Sequence, residues 1–445
     1  MKGLSLLLTL LSASLGFALS VHATRNSSEL IPPSRDPWYT APPGFEAQAP
    51  GAVLRVRPAP AGVVSPVADS VSDAYQVLYR STDTRDQPSW AVTTVFLPRA
   101  GGQQRGNSSN TTTTTTITHK KLVSYQFPYN TVDVDQGPSY RLPTVLAGNG
   151  IFFVREGLAR GWVVSVPDFE GPLAAFTAYA QAGHAVLDGI RAVLQIEQQH
   201  QQEPGRRHQA VRPERKMRYG LWGYSGGAFA TNAAAELQAS YAPELLAGFA
   251  GVAMGGVPTN FTQVLYTYNK SGGAGVVPLI LVGVTAQYPA AREYLLGQLR
   301  EEGPYNATVF LTVLHSDGAT ILATFAEQDI FEYFKDGEAI LKAPEMAQAL
   351  GENWGTTNNK VPQMPVFVAH AIHDENTFIE PVDERVKRLC EKGGNILYQR
   401  NTVGGHEDEF KSSQNRALQW LGEVLDGDQL KPRKECKIED ITNKA

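Results

Sequence analysis

The amino-acid sequence predicts an α/β fold: a mostly parallel sheet covered on both faces by helices and carrying one inserted, mainly helical segment. Short strands that are apolar throughout alternate with amphipathic helices between Lys121 and Ala253. That alternation stops at Gly255-Gly256 and returns at Val366. At the boundary between one such strand and the next helix lies Gly223-Tyr224-Ser225-Gly226-Gly227.

The chain opens with Met1-Lys2, an apolar run from Leu4 to Leu19 and the small-residue exit Val21-His22-Ala23. This pattern describes a secretory signal peptide over 1–23, with a mature chain starting at Thr24. The run is short for a membrane span and is diluted by Ser12, Ser14 and Gly16, and no later segment is long and apolar enough to cross a bilayer. From Thr24 to about Ala74 the chain is rich in Pro and Gly and reads as an extended arm with a short helix near Pro66 to Tyr75. Tyr75, Val77 and Tyr79 then alternate, so 24–89 is an arm plus a first strand.

The first part of the core covers 90–255. Trp90 to Leu97 is nearly all β-branched or apolar, and Lys121 to Tyr125 resumes the sheet after an exposed loop that holds the tract Thr111 to Thr116. Gly161 to Val166 is a buried strand ending at Pro167-Asp168. Tyr179 to Gln195 puts Ala182, Val186, Ile190, Val193 and Leu194 on one helical stripe. After the charged linker Gln199 to Lys216 come a strand at Tyr219 to Trp222, a helix at Ala228 to Ser240 and a strand at Leu246 to Ala253. The segment 256–362 shows only helical patterns, at Tyr288 to Glu302, Asp317 to Asp336 and Pro344 to Leu350. It is expected to cap the active face, because the chain leaves that face after Val252 and returns at Val366. The second part of the core and the tail, 363–445, hold strands at Val366 to Ala369 and Asn395 to Gln399 and a last helix at Ser412 to Leu425.

With 39 basic and 44 acidic side chains, the chain lacks the basic footprint of a nucleic-acid binder. Only two cysteines occur, Cys390 and Cys436, and neither sits in a redox or metal motif; no cofactor or metal is expected. In an oxidising compartment the two either pair, closing a loop, or remain as thiols. Export also makes five sequons available to glycans, at Asn26, Asn107, Asn110, Asn260 and Asn306.

The chemistry concentrates at Ser225. A serine between glycines, after a strand and before a helix, has the context of the nucleophile elbow of α/β-hydrolases. A serine hydroxyl is a poor nucleophile at neutral pH, so it needs a histidine to take its proton and a carboxylate to hold that histidine. In this fold the partners follow in the order Ser, acid, His, each at the end of a later strand. The acid should follow Val366 to Ala369, where Asp374 and Glu375 stand side by side; Asp374 comes first after the strand end and is preferred. The base should follow the last strand, at Gly404-Gly405-His406. His315 belongs to the insertion, and His370 and His373 break the expected order. The amide of Gly226 is one donor to the oxyanion, and the second is expected from the loop after Val163 to Val166, where Asp168 is read either as that donor or as a turn residue.

On the segments VVSVPDFEG, AGHAVLDGIRA, GYSGGAFATNAAAELQASYAPEL, VFVAHAIHDE, VKRLCEKGGNILYQ and GGH, the chain resembles the fungal secreted lipases typified by the A-type lipase of Candida antarctica. The resemblance spans about Leu146 to Cys436 and is loose across the insertion. It implies a secreted esterase or triacylglycerol lipase with a helical cap, a triad on Ser225, Asp374 and His406, an oxyanion site at Asp168 and Gly226, and a disulfide between Cys390 and Cys436. The family's usual IVPY after the acid is replaced here by Asn376-Thr377-Phe378-Ile379-Glu380, which loosens the expectation of a glyceride. Relatives that deacetylate fungal metabolites such as trichothecenes supply the alternative substrate. A serine peptidase or acyltransferase uses the same triad, and a degenerate fold retained for binding is the non-enzymatic reading. The expected partner is a small-molecule ester or lipid, met in solution or by transient contact with a lipid interface.

Overall fold

A computed structural model describes residues 30–99, 121–145, 150–201, 217–354, 360–427 and 436–444. The signal peptide, the threonine tract and the sequons at Asn26, Asn107 and Asn110 lie outside the described residues. The strands are β1 (Val53–Pro58), β2 (Val71–Thr82), β3 (Pro88–Pro98), β4 (Lys121–Gln126), β5 (Val163–Pro167), β6 (Arg218–Tyr224), β7 (Phe249–Gly255), β8 (Val366–Ala371), β9 (Ile396–Asn401) and β10 (Lys437–Ile441). They form one sheet in the order β1-β2-β3-β5-β4-β6-β7-β8-β9-β10. The pairs from β1 to β5 are antiparallel, and every pair from β5 through β4 to β10 is parallel.

The helices are α1 (Ala61–Val64), α2 (Pro138–Val145), α3 (Gly150–Ala159), α4 (Tyr179–Gln201), α5 (Gly226–Tyr241), α6 (Phe261–Tyr268), α7 (Val276–Thr285), α8 (Pro289–Gln298), α9 (Ala307–Phe310), α10 (Gly318–Phe325), α11 (Pro344–Asn353), α12 (Ile379–Glu391) and α13 (His406–Asp426). Two separate apolar cores result. Val186 and Ile190 of α4, Ala230 of α5 and Val386 of α12 pack on one face of the sheet, and Phe153 of α3 with Leu418 and Leu421 of α13 pack on the other. Along β6, Tyr219 and Leu221 enter the first core while Trp222 and Tyr224 enter the second. A strand buried on both faces has no polar side to show, which is why the central parallel strands β6, β7 and β8 are largely apolar.

Two expectations at the N-terminal end are corrected. The short helix lies at 61–67, not at 66–75, because Pro60 starts it and β2 pairs with β3 from Val71 onward. The stretch 24–89 also contains a further strand, β1, joined antiparallel to β2. In the insertion, the helix expected over Asp317 to Asp336 ends at Phe325 and is followed by a 3₁₀ turn at Ile330–Tyr333. The break, with Glu327 in the left-handed region at φ 61°, turns Phe325, Ile330, Tyr333 and Phe334 into one buried cluster with Phe310. Helix α7 is buried along almost its whole length. The insertion docks on the core through Phe261 of α6, whose ring meets Phe229 of α5 edge-on at 4.9 Å.

Candidate active site

Residues singled out from the sequence gather at the carboxyl ends of β6, β8 and β9, the edge where open parallel sheets bind ligands. Ser225 follows β6 directly and has φ 52° and ψ −122°, a strained conformation for a residue with a Cβ, costing on the order of 1–3 kcal/mol. The surroundings enforce it. Its NH donates to the Gly255 carbonyl at 2.9 Å, and its carbonyl accepts from the Phe229 NH at 3.0 Å, opening α5. A Cβ at Gly223 would overlap the Gly227 carbonyl and the Thr231 hydroxyl, and one at Gly227 would overlap the Gln126 carbonyl. The glycines are therefore required by close backbone approach.

Asp374 is 3% exposed, and its Oδ2 accepts from His406 Nδ1 at 2.7 Å. Its other oxygen accepts from the Asn376 NH at 2.9 Å and the Thr377 NH at 2.7 Å, so both lone-pair directions are fixed. Burial opposes ionisation of Asp374, but the hydrogen bond and charge of His406, the charge of His370 and the Thr377 NH outweigh it and hold the carboxyl below its usual range. An ionised Asp374 places the imidazole proton on Nδ1 and leaves Nε2 as an acceptor. His370, fully buried in β8, donates from Nε2 to the Thr377 carbonyl at 2.6 Å; burial lowers its pKa, against the raising effect of Asp374 and of that hydrogen bond. Glu375 is exposed and takes no part in the imidazole contact: its Oε2 accepts from the backbone NH of His406 at 3.0 Å. His315 and His373 are both exposed, outside the hydrogen-bonded group formed by Asp374 and His406.

Asp168 does not occupy the position expected of an oxyanion donor. Its NH donates to the Val92 carbonyl at 2.8 Å, and its carboxyl receives the NH and hydroxyl of Ser139. Burial raises its pKa to about 7, against the lowering effect of the Ser139 contacts. The strand order gives the reason. Asp168 follows β5, which is separated from the serine strand β6 by β4. The loop next to Ser225 is thus the one after β4, and it carries Asn130, in the left-handed region at φ 38°. The Asn130 carboxamide lies against Gly226, where a Cβ would overlap it, and its Oδ1 is buried with no hydrogen-bond partner among the described residues. Sequence reasoning missed Asn130 because the order of strands in space is not written in the chain.

Cys390 of α12 and Cys436, just before β10, are joined, with Cα atoms 5.5 Å apart. Among the described residues no cluster of His, Cys, Asp and Glu is arranged to hold a metal, and no helix is long and apolar enough to cross a membrane.

The profile of the secretory lipase family matches residues 138–432. The chain belongs to the secretory lipase family. Among its relatives in this family, the trichothecene C-3 esterase of Fusarium sporotrichioides is 41% identical over 97% of this chain and 92% of its own length. A probable trichothecene esterase of Stachybotrys chartarum is 38% identical over 93% of this chain and 81% of its own length. The crystal structure of Candida antarctica lipase A superposes with a TM-score of 0.75 at 26% identity, covering 94% of this chain and 91% of that one. The fold is that of the α/β-hydrolase lipases and esterases, and the chain, as a member of this family, is a carboxylic-ester hydrolase.

Proposed function

We propose that Ser225 is the nucleophile, His406 the base and Asp374 the acid that orients the base. The observation that carries this reading is the buried 2.7 Å contact of His406 Nδ1 with Asp374 Oδ2, at the same sheet edge as the strained Ser225. His406 Nε2 takes the Ser225 proton as Oγ adds to the ester carbonyl carbon, then returns it to the leaving alcohol, which departs as an acyl-enzyme forms. Water repeats the cycle, giving up a proton to Nε2, and the acid product leaves with Oγ reprotonated. The oxyanion is stabilised by the Gly226 NH, with the carboxamide of Asn130 as the second donor in place of Asp168. Replacing Ser225 with Ala should abolish turnover of a short p-nitrophenyl ester without affecting folding. Persistent turnover in that variant overturns the assignment.

For the substrate, the 41% and 38% identities to trichothecene esterases, over nearly the whole chain, favour an acetylated sesquiterpenoid alcohol over a glyceride. The insertion from α6 to α11 would cap the site, with its exposed Tyr266 and Leu296 available to a lipid interface. Purified protein compared on an acetylated trichothecene, tributyrin and a long-chain glyceride emulsion separates the readings; preference for either glyceride restores the lipase reading. Membership of the secretory lipase family supports secretion, for which the 1–23 segment would serve as the signal peptide. Of the two sequons among the described residues, Asn260, exposed and capping α6 through Oδ1, is the better placed for a glycan; at half-buried Asn306 the side-chain NH₂ donates to the Gly303 carbonyl.

A further inference from the structure

We infer that Glu375 is a positioning residue for the base, holding the main chain of His406 while Asp374 holds its ring. This rests on the assignment of His406 as base. His406 is the first residue of α13, and the residue before it, Gly405, has no side chain with which to cap the helix. The first NH groups of a helix have no partner within it. Here one of them, the NH of His406, donates to Glu375 Oε2 at 3.0 Å, across 31 residues of sequence. Glu375 and Asp374 are neighbours on one loop, so a single short segment grips the base at two points. The Tyr224 hydroxyl adds a third by donating to the His406 carbonyl at 2.7 Å.

The fit around this contact is tight. A Cβ at Gly405 would overlap Glu375 Oε2. Gly405 has φ −110°, which any residue adopts, so the glycine is not there for backbone freedom. Its lack of a side chain leaves room for the carboxylate. An ordinary capping residue at Gly405 would fill the helix end locally, whereas Glu375 couples that end to the acid loop.

The test is a double-mutant cycle with steady-state kinetics on a p-nitrophenyl ester. Glu375→Ala should lower kcat roughly tenfold with KM within about twofold, because displacement of a catalytic group by a fraction of an ångström reaches this size. Glu375→Gln keeps an acceptor oxygen and should recover most of the loss. Gly405→Ala should lower kcat alone, and the Glu375→Ala/Gly405→Ala double variant should be no slower than the worse single variant, since the overlap disappears with the carboxylate. Full activity in Glu375→Ala, or strictly multiplicative losses in the double variant, overturns the proposal. So does a loss in Glu375→Gln equal to that in Glu375→Ala. Running Ser225→Ala in parallel keeps the two readings apart: a dead Ser225→Ala with an unaffected Glu375→Ala removes only the role of Glu375.

Discussion

The Tyr224 hydroxyl donates to the carbonyl of His406 at 2.7 Å, while the two rings lie 5.1 Å apart. The residue preceding the proposed nucleophile thus holds the main chain of the proposed base, and the spacing between β6 and α13 is set without using the reactive atoms. A neutral hydrogen bond contributes about 1 kcal/mol, so Tyr224→Phe should lower kcat by up to about tenfold and leave KM nearly unchanged. Steady-state kinetics with a melting curve on the same preparation checks this. A KM effect in place of a kcat effect would assign Tyr224 to substrate binding.

Asp374→Asn is expected to be far more damaging. The NH groups of Asn376 and Thr377 bind Oδ1, so a carboxamide keeps its oxygen there and turns its NH₂ toward His406 Nδ1. The imidazole then has to carry its proton on Nε2, the wrong tautomer for accepting one from Ser225. In a Ser-His-Asp site this exchange costs about 10⁴-fold in kcat. Single-turnover acylation should show the loss directly, with thermal stability altered much less. A loss under tenfold would remove Asp374 from the role.

These two residues show how unevenly the sequence discloses its site. Ser225, Asp374 and His406 stand out because each follows a strand whose apolar run is visible in the chain. Spacing separates Asp374 from Glu375 only by which comes first after the strand end, and it is the direction of each side chain that separates ring contact from main-chain contact. The same holds for the fold. The parallel strands and α4 announce themselves by apolar runs and a helical stripe, whereas α7 is apolar all round and carries no period. Strand β10, Lys437–Ile441, has mostly exposed side chains, and its place beside β9 comes from main-chain pairing that no side-chain pattern records.

Asn130 and Asp168 should separate cleanly. Loss of one oxyanion donor costs about 10²–10³ in kcat, so Asn130→Ala should fall in that range with an unchanged melting temperature. Asp168→Ala should instead lower the melting temperature, because it frees the NH and hydroxyl of Ser139 in the first turn of α2. Kinetics and calorimetry on both variants decide the matter; an intact kcat in Asn130→Ala would return the second donor to a main-chain amide.

Stability toward acid should depend on His184, which is buried, donates from Nδ1 to the Thr82 carbonyl at 3.2 Å and stacks on Tyr241. Burial, only partly offset by the Thr82 carbonyl and nearby Asp83 and Asp86, lowers its pKa from 6.5 to about 4. Between those values the unfolded chain binds a proton that the folded chain refuses, so stability falls as pH drops from 6.5 and levels off below 4. The shift corresponds to about 3 kcal/mol. Asp168, with its pKa raised to about 7, has the opposite sign: its contribution is greatest when protonated and is lost as pH rises through 7. His184→Asn keeps an NH donor but does not titrate. It should be less stable than the wild type at pH 7, with the gap narrowing toward pH 4; a constant gap in urea melts would show that His184 does not carry the dependence.

The bond between Cys390 and Cys436, both partly buried against the core, should stabilise the C-terminal edge of the sheet. It ties α12 to β10 across a sequence separation of 46 residues, and β10 has few buried side chains of its own with which to hold against β9. Chain entropy for a loop of this size gives a stabilisation of about 4 kcal/mol, an upper figure because the unfolded chain is not fully random. The double variant Cys390→Ala/Cys436→Ala should therefore melt several degrees lower. Its loss should appear first as rapid hydrogen exchange in β10 and the outer edge of β9, with exchange at β6 and β7 unchanged. Since Asn401 at the end of β9 also donates to the Asn443 carbonyl at 2.8 Å, the tail keeps one tether near the base-bearing turn, and activity at 25 °C should survive. Loss of activity in step with β10 exchange would mean that the edge strand, rather than the grip of Asp374, Glu375 and Tyr224, holds His406 in position.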